Sequence, residues 1–372
     1  MTHALIVGGG TAGHVLPGVA IGHELVKRGY DASEIHFVGS ERGVEKKIVP
    51  EAGFELTVLP GRGIQRRFTM DNVGAIAGLI RAFIASFSLL RSHKPDVVVA
   101  LGGYASVPAG LWAVLLRIPI VVTEQNAVPG LANKIIGRFA KASAVSYEGT
   151  DLPRSTWTGN PVRAEVLAVA TAGDRSRIDA RKRFGLGEDK KLIAVFGGSL
   201  GARTINDAVA GALALLEDRG DIEIRHIIGS RDYADVTRRA VVFMTSSLTY
   251  TPIEYEDDMA SVYAAADLVV CRAGATSCAE LAATGTPSVL IPLPGAPGDH
   301  QTANARALES AGGAELLADS IFDARLFVDT VTRLIDNDVI LETMRTGAAS
   351  VARPDAAEAV TDLVELHAKA RS

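Results

Sequence analysis

Short runs of apolar, mostly β-branched residues alternate with helical patterns along the whole chain. This alternation is typical of βαβ units, because parallel strands are buried on both faces and need crossover helices between them. Strands are predicted at residues 5–7, 35–38, 97–100, 120–122 and 143–145 in the first half, and at 192–196, 224–228, 268–270 and 288–291 in the second. The pattern therefore predicts an α/β protein with two Rossmann-like, doubly wound parallel sheets.

A turn-rich stretch, Thr158-Gly159-Asn160-Pro161, separates the two predicted sheets. We place the domain boundary here, which gives a first domain of residues 1–160 and a second domain of residues 161–354. Residues 355–372 predict one more helix, and this helix can pack back on the first domain or on the second.

Composition excludes several classes of protein. The chain has 372 residues, 48% of them hydrophobic and 22% charged, so it can bury two cores and is too apolar to stay disordered. Its two cysteines, Cys271 and Cys278, are too few for a disulfide scaffold and lack the second ligand pair of a zinc site, so we interpret them as small buried side chains. No basic region precedes the first apolar run, so no signal peptide is predicted and a cytoplasmic location is expected.

The charge is distributed unevenly between the two halves. Residues 1–160 hold 16 Lys and Arg against 12 Asp and Glu, whereas residues 161–372 hold 22 against 31. The basic excess of the first half is too small and dispersed for a nucleic-acid surface. A membrane surface or a phosphorylated substrate remains open as its partner.

Residues 73–90 form an apolar segment interrupted only by Arg81, Ser86 and Ser88 among the polar types. A transmembrane helix is rejected, because a central arginine costs about 2.5–3.5 kcal/mol on insertion scales. Two interpretations stay open: a core helix, or a partly exposed apolar patch at a membrane surface. In the second, the apolar side chains that enter the interface are Ile76, Leu79, Ile80, Phe83 and Phe87, joined by Trp112, and the basic ones that meet anionic head groups are Arg62, Arg66, Arg67, Arg91 and Lys94.

The first predicted strand is followed by Gly8-Gly9-Gly10-Thr11-Ala12-Gly13-His14, which matches G-x-G-x-x-G at a strand-to-helix turn. Such a loop lets backbone N–H groups approach an anion. A nicotinamide or flavin site is not expected, because Gly39 and Ser40 follow the second strand, with only Glu41 as a nearby acid. His14 is predicted at the carboxyl edge of the sheet, where an imidazole suits a general base, although a histidine that merely caps the helix would occupy the same position.

Two more glycine loops follow strands of the second half, at residues 197–202 and 274–277. Each precedes a helical pattern, so backbone N–H groups and hydroxyls from both could converge on one diphosphate. Six residues beyond Gly274, Glu280 could accept the hydroxyls of a ribose or could act only on the helix dipole. The Pro/Gly-rich loop at 292–301 ends in polar residues, as a sugar site requires.

Seven motifs occur in a fixed order: Gly-Gly-Thr-x-Gly-His (9–14), Gly-Gly-Tyr (102–104), Glu-Gln-Asn (124–126), Gly-Asn-Pro-Val-Arg (159–163), Gly-Gly-Ser-x-Gly-Ala (197–202), Asp-Asp-Met (257–259) and Arg-x-Gly-Ala-x-Ser-x-x-Glu (272–280). With them the chain resembles the MurG family of bacterial glycosyltransferases, of the GT-B type and family 28, over essentially its whole length. The resemblance implies two Rossmann-like domains separated by a cleft, with the donor bound mainly by the second and an acceptor lipid by the first.

The resemblance also implies an activity: inverting transfer of N-acetylglucosamine from UDP-N-acetylglucosamine to the 4-hydroxyl of undecaprenyl-diphospho-MurNAc-pentapeptide, in peptidoglycan synthesis. No cofactor and no nucleic acid are implied, and the expected location is peripheral, on the cytoplasmic face of the bacterial cell membrane. Carried over motif by motif, the donor-binding residues are Thr11, Ala12, Gly13, Asn126, Arg163, Ser199, Glu256, Ala275, Thr276, Ser277, Cys278, Ala279, Glu280 and Gln301, while Tyr104 lies on the acceptor side.

The implied chemistry needs a base for the attacking hydroxyl and stabilisation of the leaving diphosphate. The expected base is His14, with Glu124 in reserve. Loop N–H groups with Ser199, Thr276 and Ser277 are expected to stabilise the diphosphate. No Asp-x-Asp pair ends a predicted strand, so no catalytic metal is expected.

Three positions depart from the family pattern. Leu200 stands where glutamine is usual, Glu256 stands where an apolar residue that packs on the base is common, and the loop at 292–301 is longer. These departures concern the donor side.

Two other functions share features with this interpretation. A UDP-N-acetylglucosamine 2-epimerase has the same two-lobed fold and donor but needs no lipid acceptor, so UDP release with and without acceptor separates the two. A non-catalytic sugar-nucleotide sensor would bind the donor alone, and the presence of both His14 and the motif at 102–104 argues against it.

Overall fold

The computed structural model describes residues 2–41, 43–60, 71–187, 189–198, 200–243 and 247–370. They form two compact units: unit 1 comprises Met1–Arg163 and Arg353–Ser372, and unit 2 comprises Ala164–Ala352. Unit 2 is therefore one continuous segment inserted into unit 1.

Unit 1 is built on a parallel sheet of seven strands in the order β3-β2-β1-β4-β5-β6-β7. The strands are β1 (Ala4–Gly8), β2 (Ile35–Ser40), β3 (Glu55–Leu59), β4 (Val97–Gly102), β5 (Ile120–Glu124), β6 (Ala142–Val145) and β7 (Ser155–Trp157). The helices of unit 1 are α1 (Ala12–Lys27), α2 (Glu45–Glu51), α3 (Asp71–His93), α4 (Ser106–Leu115), α5 (Leu131–Gly137) and, after unit 2, α15 (Ala356–His367).

The central strands of unit 1 bury both faces. Leu5 and Val7 of β1 belong to the core shared with α3 and α4, whereas Ala4 and Ile6 belong to the opposite core. This alternation follows from the two-residue period of a strand. Helix α15 adds Val360 and Val364 to the second core, so the segment after unit 2 completes unit 1.

Unit 2 contains a parallel sheet of six strands in the order β10-β9-β8-β11-β12-β13. Its strands are β8 (Lys191–Phe196), β9 (Ile222–Ile227), β10 (Thr249–Ile253), β11 (Leu268–Cys271), β12 (Ser288–Leu290) and β13 (Ala314–Leu316). Its helices are α6 (Ala164–Ala172), α7 (Asp174–Arg183), α8 (Arg203–Ala212), α9 (Tyr233–Ala240), α10 (Met259–Ala265), α11 (Ala275–Thr284), α12 (His300–Ser310), α13 (Ala324–Ile335) and α14 (Asp338–Ser350).

These two sheets confirm the predicted fold class, and each of the nine predicted strands is present. The sequence pattern missed β3, β7, β10 and β13, which are the outer strands of the two sheets. Their residues are mostly half-buried or exposed, whereas β1, β4 and β11 are buried throughout. An outer strand therefore lacks the continuous apolar run by which an inner strand is found.

The order of strands reverses between β1 and β4 in unit 1 and between β8 and β11 in unit 2. In open α/β sheets, ligands bind at the carboxyl ends of the strands at this switch point. The loops after β1 and β4, and those after β8 and β11, include all four predicted Gly-rich motifs of the strand ends. The topology thus singles out one candidate site in each unit.

Candidate active site

The glycine loops of unit 1 pack backbone against backbone. A Cβ atom added to Gly8 would lie 2.7 Å from the carbonyl oxygen of Gly102, and one added to Gly103 would lie 2.6 Å from the carbonyl oxygen of Gly9. Both glycines have positive φ, +151° and +80°. Glycine is required here by the close approach as well as by the backbone conformation.

A buried carboxylate faces the first of these loops. The Glu45 side chain accepts hydrogen bonds from the backbone nitrogen of Gly10 (3.0 Å) and from the backbone nitrogen (2.6 Å) and hydroxyl (2.8 Å) of Ser40. Glu45 is 1% exposed. The N–H group of Gly10 is therefore directed at an anion that the chain itself supplies.

His14 lies in the first turn of α1, directly after this loop. Its Nδ1 is 3.0 Å from the hydroxyl of Thr11, the N-cap residue of the helix. A Cβ atom added to Gly102 would lie 3.3 Å from His14 Nε2 and equally far from Asn133 Nδ2. The structure thus brings together His14, the Gly102 loop and Asn133, which the sequence analysis did not single out.

Glu124 ends β5 and is 2% exposed. Its carboxylate accepts four hydrogen bonds: from the backbone nitrogen and side-chain nitrogen of Asn126 (3.0 and 3.2 Å), from the backbone nitrogen of Gly130 (3.0 Å) and from Asn133 Nδ2 (2.9 Å). These bonds hold the loop between β5 and α5 in place. With four hydrogen bonds to this loop, the Glu124 carboxylate has a structural role at the end of β5.

The other predicted residues of unit 1 lie at or near the same edge. Thr11 is exposed, and Ala12, Gly13, Asn126 and Tyr104 are partly exposed. The Tyr104 hydroxyl donates to the carbonyl oxygen of Pro60 (3.2 Å), and burial raises the pKa of its phenol. Arg163 is partly exposed at the last position of the first segment of unit 1.

In unit 2, α11 presents its N-terminus at the switch point. Gly274 is the N-cap, and Ala275, Thr276, Ser277, Cys278, Ala279 and Glu280 form the first turns. The Thr276 hydroxyl is buried and makes no hydrogen bond with another described residue. Glu280, which is 3% exposed, accepts a hydrogen bond at Oε2 from the hydroxyl of Tyr263 (2.9 Å).

The loop after β8 rests on a buried polar network. Asn206 of α8 donates to the carbonyl oxygen of Ile228 (3.1 Å) and to Asp232 (3.1 Å), and its side-chain oxygen lies 3.0 Å from His226 Nε2. A Cβ atom added to Gly201 would lie 2.0 Å from that same carbonyl of Ile228. Ser199 lies outside the described residues, while Leu200 next to it is 69% exposed.

Glu256 forms an ion pair with a basic residue of the same unit. Its Oε2 accepts from Arg225 (2.8 Å), and its Oε1 accepts from the backbone nitrogen of Asp258 (3.1 Å). The Arg225 guanidinium in turn stacks 3.9 Å from the ring centre of Phe184. Glu256, which departs from the family pattern, therefore has its charge balanced by Arg225 and is held within unit 2.

The Pro/Gly loop is organised by Gln301 and Arg272. Gln301 Oε1 accepts from the backbone nitrogen of Leu293 (2.9 Å). Arg272, at the end of β11, donates to the carbonyl oxygens of Ile291 and Pro292 (both 3.1 Å) and forms an ion pair with Asp319 (2.5 Å). Arg272 is 9% exposed, so it links the loops after β11, β12 and β13 from within.

Helix α3 is apolar on two sides. Ala82, Ser86, Leu89 and Leu90 are buried in unit 1, while Ile80, Ile84 and Phe87 are 58%, 65% and 38% exposed. We call these three exposed residues the α3 face. Phe83 is half-buried, with its ring centre 4.8 Å from that of Trp112.

The core-helix interpretation thus describes one side of this helix. The other side is exposed as the patch interpretation expects, and its contact with a membrane surface stays a prediction. Leu79 is half-buried and Arg91 and Lys94 are exposed, whereas Arg62, Arg66, Arg67 and the side chain of Ile76 lie outside what the structure describes. Across the described chain, no helix is both long and apolar enough to span a bilayer.

The chain is similar to known proteins in sequence and in structure. Residues 4–145 match the glycosyltransferase family 28 N-terminal domain, and residues 192–360 match the family's C-terminal domain. The UDP-N-acetylglucosamine--N-acetylmuramyl-(pentapeptide) pyrophosphoryl-undecaprenol N-acetylglucosamine transferase of Acetivibrio thermocellus is 36% identical over 366 residues, which cover 97% of each chain.

Solved structures agree in fold. A crystal structure of Acinetobacter baumannii MurG has a TM-score of 0.76 and 29% identity, and the match covers 98% of this chain and all of that one. A UDP-GlcNAc 2-epimerase from Neisseria meningitidis, bound to UDP-GlcNAc, covers 98% of this chain with a TM-score of 0.67 but only 13% identity, so it shares the fold alone. Together, the two matched domain models and the full-length similarity show that the chain belongs to the MurG family of glycosyltransferases, within family 28.

Proposed function

We propose that this protein transfers N-acetylglucosamine from UDP-N-acetylglucosamine to the 4-hydroxyl of undecaprenyl-diphospho-MurNAc-pentapeptide, with inversion at the anomeric carbon. The observation that carries the proposal is the 36% identity, over 97% of both chains, to a transferase named for this donor and this lipid-linked acceptor. The product is the lipid-linked disaccharide of peptidoglycan synthesis.

In this proposal His14 accepts the proton of the attacking hydroxyl. Its place at the switch point of unit 1, beside the Gly102 loop, supports this role. The Thr11 hydroxyl at Nδ1 fixes the orientation of the ring, as a base requires. Glu124 acts indirectly, because its four hydrogen bonds hold Asn126 and Asn133 at the same edge.

The donor binds to unit 2 in this proposal. The N-terminus of α11 and the hydroxyls of Thr276 and Ser277 stabilise the diphosphate that leaves, and Glu280 accepts from the ribose. Arg163, Ser199, Glu256 and Gln301 complete the donor contacts. The buried Thr276 hydroxyl, which has no described protein partner, supports this assignment.

The acceptor carries a polyprenyl chain, so the protein must work at a membrane surface. We assign the α3 face to that surface, with Arg91 and Lys94 meeting anionic head groups. Three exposed apolar side chains one turn apart on a helix, next to exposed basic residues, support a peripheral association. The cytoplasmic leaflet, which carries anionic lipid, is the surface this arrangement suits.

Transfer of radiolabelled N-acetylglucosamine from the UDP-sugar to a short-chain analogue of the lipid acceptor tests the function. We expect label in the lipid product, and UDP release only when the acceptor is present. Consumption of UDP-N-acetylglucosamine without acceptor would instead indicate an epimerase, and binding without turnover would indicate a sensor.

A further inference from the structure

We propose that Tyr263 is a positioning residue that sets how strongly this protein distinguishes a ribonucleotide donor from a deoxyribonucleotide. The inference rests on the proposed function, in which Glu280 binds the ribose of the UDP-sugar. It concerns a residue outside the seven motifs, on a different helix from Glu280.

The contact between the two side chains is buried and direct. The Tyr263 hydroxyl of α10 donates to Glu280 Oε2 of α11 at 2.9 Å, and both residues are 3% exposed. A hydrogen bond to a carboxylate is stronger than one between neutral groups. It is therefore strong enough to hold the carboxylate in one orientation.

Orientation matters because the last torsion of a glutamate is soft. The terminal χ angle of Glu has a broad profile, so packing alone does not fix the direction of its oxygens. Fixing Oε2 on Tyr263 fixes the plane of the carboxylate and hence the direction of Oε1. The carboxylate of Glu280 is then presented in one orientation, as recognition of a ribose hydroxyl requires.

Tyr263 is itself held in place. Its ring packs edge-on against Phe196, with ring centres 6.1 Å apart, and Phe196 is the last residue of β8 before the glycine loop at 197–202. The Thr284 hydroxyl donates to the Glu280 carbonyl oxygen at 2.8 Å, which steadies the backbone of α11 at the same residue. Tyr263 therefore couples the ribose-binding carboxylate to the end of the strand that carries the diphosphate loop.

The test compares UDP with 2′,3′-dideoxy-UDP, which lacks both ribose hydroxyls, by calorimetric titration. The variants are Y263F, E280A and the double variant, with Y250F as the matched control, since Tyr250 is another buried tyrosine of unit 2 whose hydroxyl lies 3.0 Å from His226 Nδ1. We expect Y263F to weaken UDP binding about three- to tenfold, the effect of one net hydrogen bond, and to leave dideoxy-UDP binding nearly unchanged. In the E280A background, adding Y263F should change the preference for UDP no further.

Other results of these titrations would contradict either the role of Tyr263 or the proposed function. Equal weakening of both nucleotides by Y263F, or the same loss of preference in Y250F, would make the role of Tyr263 merely structural and overturn the inference. Normal UDP binding by E280A would mean that Glu280 does not bind the ribose. This result would also overturn the inference but would leave the proposed reaction intact. A wild-type protein that binds no UDP would overturn the proposed function itself.

Thermal melts of each variant without nucleotide identify a loss of fold. If Y263F fails to fold, the Y263M variant replaces it, and an unchanged preference of folded Y263M for UDP over 2′,3′-dideoxy-UDP overturns the inference.

Discussion

The carboxylate of Glu45 lies 3.0 Å from the backbone nitrogen of Gly10, inside the loop whose glycine pattern predicts an anion site. The pattern is satisfied by an anion, but that anion is a side chain of the same protein. Through this bond Glu45 supports the loop that leads to Thr11 and His14 at the start of α1.

We expect E45Q to destabilise unit 1 and to lower turnover together. The amide nitrogen of glutamine would face an N–H donor of Gly10 or Ser40, and an unmatched buried donor costs about 1–3 kcal/mol. Urea unfolding and steady-state kinetics measure the two effects. E41Q, in the exposed part of the same segment, is the control and should change neither.

Replacement of His14 by alanine should lower turnover about 100- to 10,000-fold, the usual effect of losing a general base. UDP affinity should remain close to that of the wild type, because His14 belongs to unit 1 and the donor is assigned mainly to unit 2. H23A is the control, since His23 is exposed on the same helix. Near-normal turnover of H14A between pH 6 and 9 would contradict the assignment.

Glu124 gives a different expectation from a base. Because its carboxylate accepts four hydrogen bonds, E124Q should lower both the activity and the melting temperature. The free energy of unfolding should fall by about 1–3 kcal/mol. Differential scanning calorimetry and the pH profile of turnover distinguish the roles. An unchanged melting temperature with loss of the acidic limb of the profile would make Glu124 the base.

The α3 face predicts salt-sensitive membrane binding. Changing Ile80 and Ile84 together to serine should weaken flotation with anionic vesicles without altering the melt or UDP affinity, since both side chains are more than half exposed. The matched control changes Ile178 and Val339 of unit 2, which are 52% and 76% exposed. A phenylalanine at position 83 is a poorer probe, because its ring packs against Trp112 and F83S should destabilise the fold.

Vesicle binding should also fall as ionic strength rises, because head-group attraction is screened within about 8 Å at physiological salt. A wild-type protein that ignores anionic vesicles at low salt would end the assignment of the α3 face. Equal losses from the unit 2 control would show that exposed apolar area in general, rather than this face, drives the association.

His226 makes stability depend on pH. Complete burial lowers the pKa of its imidazole from 6.5 to about 3, so the unfolded chain binds the proton more readily than the folded one. Stability is therefore lost as pH falls below 6.5, at about 1.4 kcal/mol per pH unit, until the pH nears the folded pKa. Urea unfolding at pH 7.5 and 5.0 should show a loss about 2 kcal/mol smaller for H226N than for the wild type.

The acid loss that H226N retains has another identified source. Burial and the nearby His93 lower the pKa of His36 in unit 1, which acts in the same direction and is unchanged in the variant. Equal pH dependence of wild type and H226N would mean that His226 contributes nothing measurable.

The inner strands and the glycine loops could be predicted from the sequence because both have local signals. A buried parallel strand is a continuous apolar run, and a close backbone approach requires glycine at that position. The outer strands β3, β7, β10 and β13 have neither signal. Their pairing depends on the strand next to them, which no local pattern records.

The candidate site divides in the same way. His14 and Glu280 follow glycine loops and could be located by spacing. Asn133 comes to the same loop as His14, and Tyr263 bonds to Glu280, only when separate helices pack side by side. The sequence pattern points to an acid just after β2, where Glu41 stands. The carboxylate that reaches the loop is Glu45, four residues further along, at the start of α2.

The insertion of unit 2 within unit 1 sets an order of events during synthesis. Residues 164–352 leave the ribosome as one uninterrupted stretch that contains every strand of its sheet, whereas unit 1 still lacks Val360 and Val364 when its own seven strands have been made. The chain re-enters unit 1 at Arg353, whose guanidinium lies 3.7 Å from the ring centre of Trp157. Only after this residue can the last helix of unit 1 be made. The nascent chain thus carries an open apolar face on α1 while the second unit is translated, and this interval is when a chaperone would have most to cover.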